Sequence, residues 1–250
     1  MKPAVKYGLI GLVAVVVVGI GAFLLLRPDS PDEVSLESAR DAVTTTEASG
    51  SEGTGSTAAP ADGIDGIDGT WTVDDQTGEF DFESASGSFA GFRITEELAS
   101  IGATEAVGRT GDVSGTMTIE GTTVTDATFE IDMTTITTNE SRRDDKVQSA
   151  LETDQFPTGT FELTEPIDLG ADAAEGGSVT VDAVGDLTIH GVTQQVTFPL
   201  EAELVDGTIV VVGSLDITFA DYGVQVPTAP VVVSVEDHGP IELQLLFVRS

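Results

Sequence analysis

There is no cysteine in the 250 residues. That excludes disulfides, zinc–thiolate and iron–sulfur sites, thiol nucleophiles and a cysteine-linked lipid anchor. Positive charge is also scarce: 10 Lys and Arg against 43 Asp and Glu give a formal net charge of -33, and the only lysines are Lys2, Lys6 and Lys146. Such a chain repels nucleic acid, whose binding depends on neutralising phosphates with Lys and Arg, and anionic membrane surfaces are disfavoured in the same way. The acidity fits solubility or adaptation to salt. Histidine is limited to His190 and His238, with no spacing that suits a transition-metal site. No nucleophile elbow surrounds a serine, and no glycine-rich loop precedes a helix to hold phosphate. The period-three Asp-Gly repeat over 62–69 lacks the alternate oxygen ligands and closing Glu of a calcium loop. The expectation is therefore no enzyme, no metal and no cofactor.

What the chain has begins with an uncharged apolar run over 7–26, ending in Phe23-Leu24-Leu25-Leu26-Arg27-Pro28. At 1.5 Å per helical residue, such a run spans about 30 Å, the thickness of a bilayer core. No small-x-small cleavage site follows it, so the expectation for 1–27 is an uncleaved signal anchor rather than a cleaved signal peptide. Lys2 and Lys6 precede the run and Arg27 follows it, which favours a cytoplasmic N-terminus and an extracytoplasmic remainder. From 28 to 69 the composition shifts to Ser, Thr, Ala, Gly, Asp and Glu, and is expected to be a disordered tether.

From Thr70 the pattern is short alternating strands. The clearest case lies within 185–204, where Val196, Phe198, Leu200, Ala202 and Leu204 alternate with Thr197, Pro199, Glu201 and Glu203. Successive strand side chains face opposite ways, so this strand has one dry and one wet face. Leu187 and Ile189 alternate before it, and His190-Gly191 occupies the turn of a hairpin. Similar runs occur at Trp71 and Val73, over 89–94, 113–119 and 127–133, at Phe161 and Leu163, and over 179–189, 209–219 and 241–245. This order implies an all-β antiparallel barrel or sandwich. One stretch, 141–151, does not alternate: Val147, Ala150 and Leu151 have helical spacing, Asn139 or Ser141 can cap the start, and Asp144 and Asp145 suit the helix dipole. A second short helix is expected near 96–101.

Several motifs in this order carry a resemblance: Thr70-Trp71-Thr72-Val73-Asp74, Ser141-Arg142-Arg143-Asp144, and Phe156-Pro157-Thr158-Gly159-Thr160-Phe161. They are followed by Gly185-Asp186-Leu187-Thr188-Ile189-His190-Gly191-Val192 and Asp221-Tyr222-Gly223. Over about 69–249 the chain resembles the YceI-like family of polyisoprenoid- or lipid-binding proteins. The resemblance implies an eight-stranded antiparallel lipocalin-like β-barrel over 70–250, with one or two short helices and a long apolar cavity for an isoprenoid chain. It also implies a periplasmic or secreted location. The chain departs from the family early in the domain, where Ser88-Phe89-Ala90 replaces a His-Ser pair and the segment 97–110 is longer.

The candidate lumen residues are Phe129, Ile131, Met133, Leu187, Ile189, Phe198, Leu200, Leu215, Ile217 and Phe219. An eight-stranded barrel is just wide enough to be filled by side chains or to hold one small ligand, so these residues either pack a solid core or line a cavity. Arg143, His190 and Tyr222 are the headgroup candidates. Arg142, Arg143 and Lys146 gather three of the domain's six cations within five positions, either pairing with neighbouring acids or offering a guanidinium to a diphosphate or quinone oxygen. The expectation is a membrane-anchored extracytoplasmic binding protein for an isoprenoid or similar lipid. The alternative is a cell-envelope structural or interaction module with a packed barrel.

Overall fold

A computed structural model describes residues 30–50 (without the side chains of 45–50), 66–74, 80–83, 86–99, 102–174, 176–227 and 232–250. The apolar run 7–26 lies outside the described residues. Among the described residues, no helix is long and apolar enough to cross a membrane.

The chain enters through α1 (Leu36–Gly50) and then builds strands β1 (Gly69–Val73), β2 (Phe89–Leu98), β3 (Gly102–Thr110), β4 (Val113–Glu120), β5 (Thr123–Asp132) and β6 (Thr137–Thr138). Helix α2 (Ser141–Ala150) follows, then β7 (Thr158–Leu163), β8 (Ile167–Asp168) and α3 (Gly170–Ala174). The remaining strands are β9 (Val179–Ile189), β10 (Val192–Val205), β11 (Thr208–Thr218), β12 (Val232–Val235) and β13 (His238–Arg249).

All pairings among the described strands are antiparallel, and the consecutive strands β2–β3, β4–β5, β9–β10 and β10–β11 pair directly. The order β1-β4-β5-β7-β9-β10-β11-β13 closes because β1 also pairs with β13. Along one side β2, β3 and β6 continue the walls begun by β1, β4 and β5: β13 pairs with β1 at residues 247–249 and with β2 at 241–244. The result is an eight-walled closed barrel whose ring of eight strands leaves no long unpaired edge; the short β6, β8 and β12 pair on one side only. The β9–β10 and β10–β11 hairpins turn in two residues each, His190-Gly191 and Asp206-Gly207. Both residues of each turn have positive φ (52° and 71°, 49° and 89°), the primed geometry whose twist matches that of the strands.

One end of the barrel is closed. Trp71, Met117, Ile119, Val124, Ile209, Leu245 and Phe247 form a buried cluster there with Ile67 and Ala173, and all of these but Trp71 also border the barrel's cavity. Trp71 donates from Nε1 to the Ile67 carbonyl at 2.8 Å, and the Arg249 guanidinium lies 4.7 Å from its ring centroid. The conspicuous tryptophan is thus a plug.

The structure corrects four expectations. Residues 28–69 are not wholly a disordered tether, because α1 forms within them. Ser35 accepts a hydrogen bond from the Ser38 amide at 3.3 Å, as an N-cap does, and Glu37 stands in the first turn. Ala39 and Val43, one helical turn apart, are buried against Val210, Val212 and Leu246 on the outer wall. The expected helix at 96–101 is absent, since β2 runs through Leu98, paired with β3 and with β12. Cross-strand pairing outweighs the helical preference of Glu96-Glu97. Neither Asn139 nor Ser141 caps α2: Glu140 occupies the N-cap without a side-chain bond. Finally, Met133 leaves the strand pattern and begins a 3₁₀ turn, Met133–Thr135.

Replacing Ala39 by Glu should undock α1, because an unpaired carboxylate against Val210 and Leu246 costs several kcal/mol. Limited proteolysis should then cut within 30–50 faster than in the parent chain, while the barrel's far-ultraviolet circular dichroism stays unchanged. Equal cleavage rates would show that the helix does not depend on this contact.

Arg93 and Arg109 meet Glu242 on the outer wall of β2, β3 and β13, and all three are buried. Arg93 donates from Nε to Glu242 Oε1 at 2.6 Å and from Nη1 to Glu105 Oε2 at 2.7 Å. Arg109 donates from Nη1 to the Phe82 carbonyl at 3.1 Å and lies 4.6 Å from the Phe89 ring centroid. The lid over this cluster is the chain before α1: the carbonyls of Pro31 and Asp32 accept from Arg93, and that of Asp32 also from Arg109 at 2.7 Å. Burial lowers the Arg109 pKa, and Glu242 opposes the shift.

Candidate apolar cavity and its mouth

Above the plug the lumen is not filled. A cavity of about 650 Å³ runs from the Trp71 end to the opposite end of the barrel, within the usual range for a site that holds one small ligand. Its walls carry the inward-facing residues of every barrel wall, and many of them, including Phe129, Ile131, Ile189, Leu200, Ile217 and Leu243, are only half-buried although they face inward. They face a void rather than one another.

The openness has a sequence cause. Phe129 stands opposite Gly115, Phe92 opposite Gly108 and Leu200 opposite Gly213. A Cβ at Gly115 would lie 2.4 Å from Phe129 Cδ1, at Gly108 2.4 Å from Phe92 Cε1, and at Gly213 2.5 Å from Leu200 Cδ2. A Cβ at Gly185 would lie 2.4 Å from Phe161 Cζ. In each case a large side chain lies across a glycine of the next strand and so hugs the wall, leaving the axis free. Glycine within a strand signals such close approach, and this was the available sign of a cavity. Phe129 also contacts Phe161 and Phe247, with centroids 6.5 Å and 5.7 Å apart, at the boundary between plug and void.

All the candidate lumen residues line the cavity except Leu215, which shares their face of β11. Phe92, Phe161, Ile241 and Leu243 also line it and were not among the candidates.

Charged residues gather at the open end, where Glu96, Glu140, Arg142, Arg143 and Lys146 line the cavity. Arg143 is engaged there, donating to Asn139 Oδ1 at 2.6 Å and to Glu96 Oε1. Arg142 and Lys146 are exposed. Tyr222 lines the cavity and is buried; burial and the nearby Asp221 raise its pKa, and its hydroxyl has no hydrogen-bond partner among the described residues.

His190 does not line the cavity. Its ring meets Phe156 edge-on at 4.7 Å, with Nδ1 3.2 Å from the Tyr222 carbonyl and Nε2 3.5 Å from Glu152. Three motifs distant in sequence converge at this point: the Phe156 ring leaves no space for a Cβ at Gly191, and Gly223, at φ 72°, ends the 3₁₀ turn Phe219–Tyr222 beside His190. They brace the rim. His238 is exposed, and a hydrogen bond with Asp237 raises its pKa. Ser88 and Phe89, at the departure from the family pattern, lie in the outer wall: Ser88 Oγ donates to the Asp74 carbonyl at 2.9 Å, and Phe89 packs under Arg109. Among the described residues, no group of three or more His, Asp and Glu could hold a metal ion.

Comparison with known proteins adds the following. A family model described as a YceI-like domain matches residues 71–247. The UPF0312 protein VPA0850 of Vibrio parahaemolyticus is 28% identical over 116 residues, covering 45% of this chain and 57% of that protein. The match thus spans little more than half of that relative's length. A polyisoprenoid binding domain from Saccharophagus degradans, implicated in plant cell wall breakdown, is similar in structure with a TM-score of 0.51 at 18% identity, covering 65% of this chain and 94% of that domain. This likeness shows a shared fold. BcnA of Burkholderia cenocepacia gives a TM-score of 0.47 at 20% identity, covering 63% and 95% of the two chains.

Proposed function

The chain belongs to the YceI-like family, whose model matches residues 71–247, and from that premise we propose that it is a binding protein that takes an isoprenoid or similar lipid into its barrel. The observation that carries this reading is the apolar cavity of about 650 Å³. Each buried CH₂ contributes about 0.8 kcal/mol, so a hydrocarbon tail in this lumen binds without many polar contacts. The polyisoprenoid-binding description of the Saccharophagus degradans domain supports the choice of ligand. Arg143 and Tyr222 stand at the rim, where a polar headgroup would rest, and His190 holds the rim in place behind them. A packed-barrel module finds no support in a lumen of this volume.

The reading includes anchoring by residues 7–26, with the N-terminus cytoplasmic and the barrel extracytoplasmic; the apolar run and the Lys2, Lys6 flank support it. The tether is short, since the chain is held on the barrel from Ser30 onward.

Organic extraction of the protein purified from its membrane fraction, followed by mass spectrometry, should recover a prenyl or long-chain lipid in near-stoichiometric amount. Repeated recovery of none, with added prenyl lipid failing to raise the melting temperature, would refute the reading. Replacing Tyr222 by Phe should weaken a ligand with a polar headgroup by about 1 kcal/mol, the scale of one hydrogen bond, and leave a headgroup-free hydrocarbon unaffected. Titration calorimetry with the two ligand types separates these outcomes.

A further inference from the structure

The chain before α1 leaves the barrel beside the cavity mouth. Ser30 Oγ donates to the Glu105 carbonyl at 3.1 Å, and Asn139 Nδ2 lies 3.5 Å from Ser30 Oγ. The same Asn139 accepts from Arg143, which lines the mouth. From there the chain runs toward the plugged end: Asp32 covers Arg93 and Arg109, and Arg40 reaches within 3.9 Å of Glu203 near the β10–β11 turn. Four positions separate Leu26, the last residue of the apolar run, from Ser30. A fully extended chain of that length reaches about 14 Å. If residues 7–26 sit in a bilayer, the mouth is therefore held close to the membrane surface.

A second observation concerns the rim itself. In a chain of net charge -33, residues 223–235 carry no charge. Of these, Val224, Val226, Pro227, Val232 and Val235 line the mouth. Val233 points outward and is 62% exposed, the only large apolar side chain so exposed among the described residues. The rim is not a basic patch, since Arg142 lies 4.0 Å from Glu140 and the exposed Asp145 adjoins Lys146 in sequence. Its affinity for a bilayer would come from apolar contact, not from anionic lipid.

We propose that β12 and the adjoining rim residues form a bilayer-docking surface. The cavity then opens onto the membrane in which the chain is anchored and exchanges its lipid directly with that phase. This deepens the function proposed above and rests on anchoring by residues 7–26. The outward valine and the short link act together: the link restricts orientation, and the rim provides the apolar contact.

The absence of cysteine makes the test direct. Val233→Cys at the rim and Glu120→Cys, exposed at the plugged end, are each labelled with one environment-sensitive fluorophore in the full chain. The proteins are reconstituted into phosphatidylcholine liposomes, floated on a density gradient and titrated with doxyl-labelled phosphatidylcholine. The expected result is flotation of both variants, with quenching severalfold stronger at Val233→Cys than at Glu120→Cys. Flotation with equal or reversed quenching overturns the docking surface and leaves the anchor standing. Failure to float refutes the anchor and the proposal with it. Lipid recovered from the cavity of the same preparations reports separately on ligand binding.

Discussion

Replacing Glu242 by Ala should lower the unfolding free energy by about 3–5 kcal/mol, the scale expected when one partner of a buried ion cluster is removed. Glu242 is the carboxylate shared by Arg93 and Arg109, at 2.6 Å and 3.4 Å. Without it, two guanidiniums remain buried side by side, with Glu105 and main-chain carbonyls as their acceptors. Water cannot solvate them, because Pro31, Asp32 and Phe82 close the site. Glu105→Ala is the internal control. Glu105 is about one-third exposed, so its loss should cost less than about 1 kcal/mol. The combined replacement of Arg93 by Met, Arg109 by Met and Glu242 by Leu should recover most of the loss, since apolar residues of similar volume often replace a buried ion cluster at little cost. Urea denaturation of the four proteins decides the matter. A Glu242→Ala variant no less stable than Glu105→Ala would show that the cluster is hydrated. The same substitution should also loosen α1, because the chain that leads into it supplies the lid.

The second large effect concerns the lumen. Ile217→Trp or Leu200→Trp should leave the melting temperature within a few degrees of the parent and weaken lipid binding by roughly 50-fold. Both side chains face the cavity and are half-buried, so a larger ring has space to occupy. The added ring excludes part of the ligand: about three CH₂ groups displaced cost about 2.4 kcal/mol at 0.8 kcal/mol each, which is that fold-change. A filled barrel behaves in the opposite way, losing about 1–3 kcal/mol of stability through overpacking. Thermal denaturation paired with a lipid-transfer assay gives both readouts. Unchanged lipid affinity in both variants would place the ligand outside the barrel.

The strands were legible wherever one face is dry and the other wet. β5, β9, β10 and the second half of β11 show the two-residue alternation, and His190-Gly191 marks its hairpin correctly. β3 was missed, because Gly102–Thr110 reads GATEAVGRT and its outward face is covered rather than exposed: Val107 and Arg109 are both buried there. Alternation reports a contrast between the two faces, and a strand buried on both faces has none. α1 was missed for a different reason. Averaged over 28–69 the composition is polar, but Leu36, Ala39 and Val43 have helical spacing behind Ser35, a local signal lost in the wider average. Nothing local to Arg93 or Arg109 in the sequence signals burial; the return of the N-terminal chain across β2 and β3 makes them a buried cluster.

By itself the sequence determined the alternation, the all-β antiparallel class, the absence of thiol chemistry and the family motifs in their order. These are properties of neighbouring residues, or of a pattern that repeats along one strand. Whether the lumen is full was decided by tertiary structure. The same inward phenylalanines would fill the axis if each faced a bulky partner, and they line a cavity because Gly108, Gly115, Gly185 and Gly213 let them lie flat. The position of the mouth relative to the N-terminus was also decided there, because Ser30 and Asn139, 109 residues apart, meet only when the barrel closes. Register across strands sets both outcomes, and register depends on pairs of residues that no local window contains.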